Sequence, residues 1–208
     1  MKPILFILMI SIFSLQANAL SFEDGEKAYS ARDYKNALSI WTSLAEAEDE
    51  EAQNALGLMY KDGKGVAVDM KVAFSWLLKS AEQDVAQAQY HVGLMYLNAQ
   101  GTRRDTRKAT FWLKMSAEEG YDKAQLKLAE MYSSGDGVLK SLKKALYWYE
   151  RSAEQDFAQA QYSLADMYCS GKGISKNIKQ CVHWVKEAEK NGMDSSSLRQ
   201  QFKLEQYL

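Results

Sequence analysis

Two histidines, two cysteines and two Gly-Lys-Gly stretches are the places where this sequence could carry chemistry. A histidine serves as a metal ligand or general base only where further ligands, or an orienting acid, converge on it. His91 and His183 stand far apart, and no acid or nucleophile pattern accompanies either. Both are expected to be ordinary surface or half-buried imidazoles. Gly63-Lys64-Gly65 and Gly171-Lys172-Gly173 lack the G-x-x-x-x-G-K-[ST] spacing of a phosphate loop and a preceding strand, so they are expected to be turns. Cys169 and Cys181 either pair, in an oxidising compartment, or remain one groove-side and one buried thiol. These residues give no catalytic set, no metal site and no cofactor site.

The elements that would position these side chains follow from an internal repeat. Met-Tyr recurs at 59–60, 95–96, 131–132 and 167–168, and Trp at 76, 112, 148 and 184. Ala-Gln holds the same register at 52–53, 88–89, 124–125 and 160–161. Each unit reads as two amphipathic helices; Val92, Met95 and Tyr96 illustrate the i, i+3, i+4 spacing. A glycine-bearing break follows each first helix, and Asp69, Asp105, Ser141 and Asn177 stand ready to cap the second. Small residues at Gly57, Gly93, Ala129 and Ala165, and at Ala73, Ala109, Ala145 and Cys181, predict close helix crossings. The Trp series fits inter-repeat core better than a ligand-stacking stripe.

The expected organisation is therefore an all-α solenoid. An incomplete unit spans 20–49, repeats span 50–85, 86–121, 122–157 and 158–193, and a capping helix spans 194–208. Ahead of them, Lys2, the apolar run Ile4 to Leu15 and Ala17-Asn18-Ala19 form a signal-peptide pattern over 1–19, too short to cross a bilayer. Cleavage after Ala19 would place the chain in the periplasm or outside the cell, with no stable membrane insertion. With 26 basic and 27 acidic residues the chain carries no footprint for nucleic acid. An acidic cluster (Glu46, Glu48, Asp49, Glu50, Glu51) and a basic one (Arg103, Arg104, Arg107, Lys108) polarise it along its length.

The residues Ala86 to Tyr96, Gly63 to Val66 and Asp69 to Trp76 resemble the Sel-1-like repeat, a longer relative of the tetratricopeptide repeat. Ala99, at the first loop glycine, and Cys181, at an alanine, depart from its pattern. The resemblance implies a right-handed α/α superhelix whose first helices line a concave, partner-binding surface, and it implies no reaction. Secreted relatives richer in cysteine place a pair in every repeat, whereas this chain has one pair at most.

The tetratricopeptide-like register puts Asn54, Leu58, Lys61 and Asp62 on the inner face, then Tyr90, Leu94, Leu97 and Asn98. Leu126, Glu130 and Ser133 follow, then Tyr162, Asp166 and Ser170. Tyr90, Leu94, Leu126 and Tyr162 would form an apolar strip in a polar-edged groove suited to an extended peptide or a partner's helix. The functional expectation is a protein-binding scaffold. Behind it stand an envelope component multimerising through its end repeats and, disfavoured, a hydrolase acting on cell-wall material.

Overall fold

The computed structural model describes residues 20–207. The expected signal peptide and Leu208 lie outside the described residues. The first helices of successive units are α1 (Phe22–Ser30), α3 (Glu50–Asp62), α5 (Ala86–Asn98), α7 (Asp122–Ser134) and α9 (Ala158–Ser170). Their partners are α2 (Tyr34–Glu46), α4 (Met70–Ala81), α6 (Thr106–Glu118), α8 (Leu142–Ala153) and α10 (Ile178–Lys190). Each first helix packs on its own second helix, and each second helix packs on the next first helix. This nearest-neighbour stacking is the expected all-α solenoid.

Local chemistry sets the ends of these helices. The side chains of Asp69, Asp105, Ser141 and Asn177 accept backbone N–H groups at the starts of α4, α6, α8 and α10. Each thereby satisfies a donor the helix would otherwise leave free. Gly63, Gly135 and Gly171 close α3, α7 and α9 in the left-handed conformation; Ala99 takes it too, with φ 55°. The incomplete unit is closed differently. Trp41 is buried against Phe22 and Tyr29, and its Nε1–H donates to the Phe22 carbonyl. A Cβ on Gly25 would enter the Trp41 ring.

The small residues mark the crossings. A Cβ on Gly57 would lie 2.6 Å from Leu77 Cγ, and one on Gly93 2.7 Å from Leu113 Cγ. Where the register position of these leucines holds Tyr149 or Val185, the first helix carries Ala129 or Ala165 instead. All of these residues are buried. A buried crossing is packed by shape, so the residue types on the two helices change together.

A buried polar ladder explains the Ala-Gln signature. Nε2 of Gln53, Gln89, Gln125 and Gln161 donates to the carbonyls of Ala45, Ala81, Ala117 and Ala153. The Oε1 atoms of Gln53, Gln125 and Gln161 accept from Gln83, Gln155 and Asn191. Repeat register places Glu119 opposite Gln89, and an ionised carboxylate has no proton to give. Gln89 Oε1 is accordingly buried with no partner. Glu119→Gln is expected to supply the missing donor and stabilise the fold by about 1 kcal/mol, read as a higher urea midpoint at unchanged slope. An equal or lower midpoint would refute the ladder.

The C-terminal segment differs from the single capping helix expected over 194–208. α11 (Ser196–Phe202) stops where Lys203 turns left-handed, and a 3₁₀ turn covers Leu204–Gln206. In an unbroken helix Leu198 and Leu204 would point to different faces. The break buries both on one cluster with Ala165, Cys169, Cys181 and Val185. Burial of that open end, not helix propensity, decides the chain path.

Candidate functional site

The first-helix residues expected to face a groove are distributed between two cavities and the wall joining them. Asn54 and Leu58 line a cavity of about 360 Å³ between α1 and α3, together with Glu26, Tyr29, Trp41 and Glu51. Tyr162 and Asp166 line a second, of about 150 Å³, with Ser133, Tyr149 and Lys172. Lys172 Nζ stands 3.8 Å from an Asp166 carboxylate oxygen.

Between them, Tyr90 is half-buried and meets Tyr121 with ring centroids 5.2 Å apart. Burial, then the neighbouring Tyr121 and the negative charges of Glu130 and Asp122, raise the Tyr90 hydroxyl above its ordinary pKa. Glu130 receives Lys127 at 3.4 Å. Tyr90 and Leu126 each rest one side on the core cluster of the third repeat, and Tyr162 does so on the last cluster. Leu58 and Leu97 lean likewise on the second repeat's core, and Leu94 is half-buried. The strip is thus part core and part surface.

Three placements differ from the simple inner-face reading. Asn54 is only 4% exposed, and its Nδ2 donates to Gln87 Oε1 at 2.8 Å across the repeat boundary. Cys169 is fully buried and bonded to Cys181, with Cα atoms 5.1 Å apart. It is no groove-side thiol, because α11 and the turn after it fold over that end. Tyr162 Oη lies 2.9 Å from Ser197 Oγ, so the cap also closes part of the surface there.

Sequence reasoning passed over a row it could have found. Glu51, Gln87 and Gln159 line the cavities or bond their lining, and they lie one helical turn before Asn54, Tyr90 and Tyr162. Tyr149, from a second helix, carried no such signal.

Among the described residues no three His, Cys, Asp or Glu side chains group as a metal site, and no helix is long and apolar enough to cross a membrane. His91 is pushed from its ordinary 6.5 to about 4, first by burial and then by the positive charge of Lys61; Asp62 opposes the shift and Lys123 adds to it. The unfolded chain therefore binds this proton more readily than the folded one, and stability falls as pH drops below about 6.5. Between pH 7 and 5 the loss attributable to His91 is expected to be about 2 kcal/mol, at about 1.4 kcal/mol per pKa unit. Urea titrations of His91→Gln should show a flatter pH dependence by that amount; an unaltered slope would contradict the burial of this ring.

With this geometry established, the chain can be set beside known proteins. A sequence model described as Sel1 repeat matches residues 50–85, 86–121, 122–157 and 158–193. No curated protein matches the chain. A protective antigen of uropathogenic Escherichia coli displaying an SLR fold is 30% identical, with a TM-score of 0.78 over 82% of this chain. The match spans only 38% of that longer antigen. A Sel1 repeat protein from Oxalobacter formigenes is 27% identical, with a TM-score of 0.73 over 83% of this chain and 85% of its own. Helicobacter pylori cysteine rich protein B shares the fold at 22% identity and a TM-score of 0.50, over 62% of this chain and 93% of its own.

Proposed function

The chain belongs to the Sel1 repeat family, and on that premise we propose that it is a non-enzymatic scaffold holding an extended peptide or a partner's helix against its first-helix layer. Sel1 repeat proteins act as protein–protein interaction scaffolds. The observation that carries the finer reading is the half-exposed row of Tyr90, Leu94, Leu126 and Tyr162, running between two cavities with Glu130 and Asp166 at its edge. Half-buried tyrosines offer a rigid apolar face at little entropic cost and a hydroxyl for the rim. Export to the periplasm or beyond is part of this reading: the signal pattern at the N-terminus supports it, and so does a disulfide, which persists in oxidising compartments. Assembly through end repeats has less support, since Leu198 and Leu204 close the C-terminal apolar face.

The test is capture from envelope extract, with partners identified by mass spectrometry. Changing Tyr90 and Tyr162 together to alanine is expected to weaken capture at least 30-fold, about 2 kcal/mol, at unchanged helicity. The control is Lys79→Ala, whose ammonium lies over the Trp76 ring in a second helix. Full capture by the double variant would reject the groove.

A further inference from the structure

We propose that the cavity between α1 and α3 is a receptor for a primary ammonium group carried by a bound peptide. This deepens the groove reading and rests on it.

Three features of the cavity meet in that ligand. The first is Asn54, whose side chain forms part of the wall. Gln87 holds its Nδ2, while its Oδ1 is buried and has no hydrogen-bond partner. A buried acceptor left unpaired is costly, and an incoming N–H removes that cost. The second is charge. Glu26 and Glu51 line the same cavity, and neither makes an ion pair among the described residues. The nearby Lys27 is taken by Asp24 at 3.4 Å. The Glu51 carboxyl is raised from its ordinary pKa, first by burial, then by Glu50, Asp49 and Glu26, all negative. The third is the wall of Phe22, Tyr29 and Trp41, whose rings stack or tilt at 5.6 Å.

An ammonium has three donors and no acceptor, so one amide oxygen and two carboxylates match it in number and sign. Aromatic faces take the apolar stem and attract the cation. A calcium ion fits poorly, since it needs six to eight oxygen ligands. The ammonium could be a lysine side chain or a peptide's amino terminus; both present the same chemistry.

The probes are three hexapeptide amides of alternating leucine and serine. One has a free amino terminus, one is acetylated with a central lysine, and one is acetylated with norleucine in its place. Calorimetric titration of the full chain is expected to show at least one amine peptide binding tenfold or more tighter than the norleucine peptide. The stronger of the two identifies the source. Glu26→Gln with Glu51→Gln, both at exposed positions, is expected to erase that preference while circular dichroism shows the helical fold retained. Asn54→Leu should reduce it at least fivefold.

Equal binding of amine and norleucine peptides would overturn this proposal while leaving the groove intact. A preference that survives the double glutamine variant would overturn it as well. Were the preference to persist while Tyr90→Ala with Tyr162→Ala binds the peptides unchanged, the ammonium site would stand and the groove would fall.

Discussion

Gly101→Ala is expected to lower folding stability by about 3 kcal/mol, although it adds a single methyl group. Gly101 has φ 68°, where an L-residue carries a penalty of about 1–2 kcal/mol. The larger part lies elsewhere. Its Cβ would strike the carbonyl oxygen of Met70, the first residue of α4 in the preceding repeat. Backbone cannot rotate away as a long side chain can, so the two repeats would have to part, at about 1–3 kcal/mol for such overpacking. Gly120→Ala is the control. Its φ of 91° is also left-handed, but nothing lies within 4 Å of the added methyl, so only the conformational part should appear. Ala99, two residues before Gly101, already lives at φ 55°, so a left-handed alanine by itself is tolerated in this loop. Urea unfolding of both variants separates the two contributions. Equal losses would mean that the contact with Met70 carries no energy.

Removing the Cys169–Cys181 bond is expected to cost about 2–3 kcal/mol, the chain-entropy value for a loop closed over a separation of 12 residues. The most informative variant is Cys169→Ala with Cys181→Ala. Alanine is the residue at the register position of Cys181 in the third repeat, Ala145, and at Cys169, which is fully buried, it leaves no polar group in the core. The variant therefore removes the link without burying an unpaired hydroxyl. At about 2–4 °C per kcal/mol the melting temperature should fall by about 4–12 °C. A reducing agent should reproduce the loss in the parent chain and have no effect on the variant. Because each repeat leans only on its neighbours, the loss should concentrate at the C-terminal end. Hydrogen exchange should show α9, α10 and α11 losing protection first, with α3 to α6 unchanged. A parent melting curve indifferent to reduction would overturn the expectation.

The architecture was legible in the sequence because its causes are local and recur. Apolar spacing places one face of each helix inward, and Asp69, Asp105, Ser141 and Asn177 cap the second helices through their own side chains. A signal within a few residues, repeated at an interval of 36, needs no knowledge of the rest of the chain. The pairing of Gly57 with Leu77 and of Ala129 with Tyr149 could also have been read, once the register was known.

The candidate site was legible only as a set of rows. Register gave Asn54, Tyr90, Leu126 and Tyr162, but not how deep each lies. Depth depends on what the neighbouring unit brings across. Gln87 draws Asn54 beneath the surface, the third repeat's core supports Tyr90, and Ser197 meets Tyr162. The cavity against α3 takes Glu26, Tyr29 and Trp41 from the incomplete unit, whose residues the groove register of the full repeats did not include.

What the sequence by itself determined was the repeat, the helices and their boundaries, each the product of short-range hydrogen bonding and periodic hydrophobicity. Only the tertiary structure decided the second loop glycine, the kink at Lys203 and the orphaned oxygens of Gln89 and Asn54. Each of these depends on an atom contributed by another element: the Met70 carbonyl, the open apolar end, the carboxylate of Glu119, the amide of Gln87. Such contacts act over a few ångströms between residues far apart in the chain, and no local pattern records them.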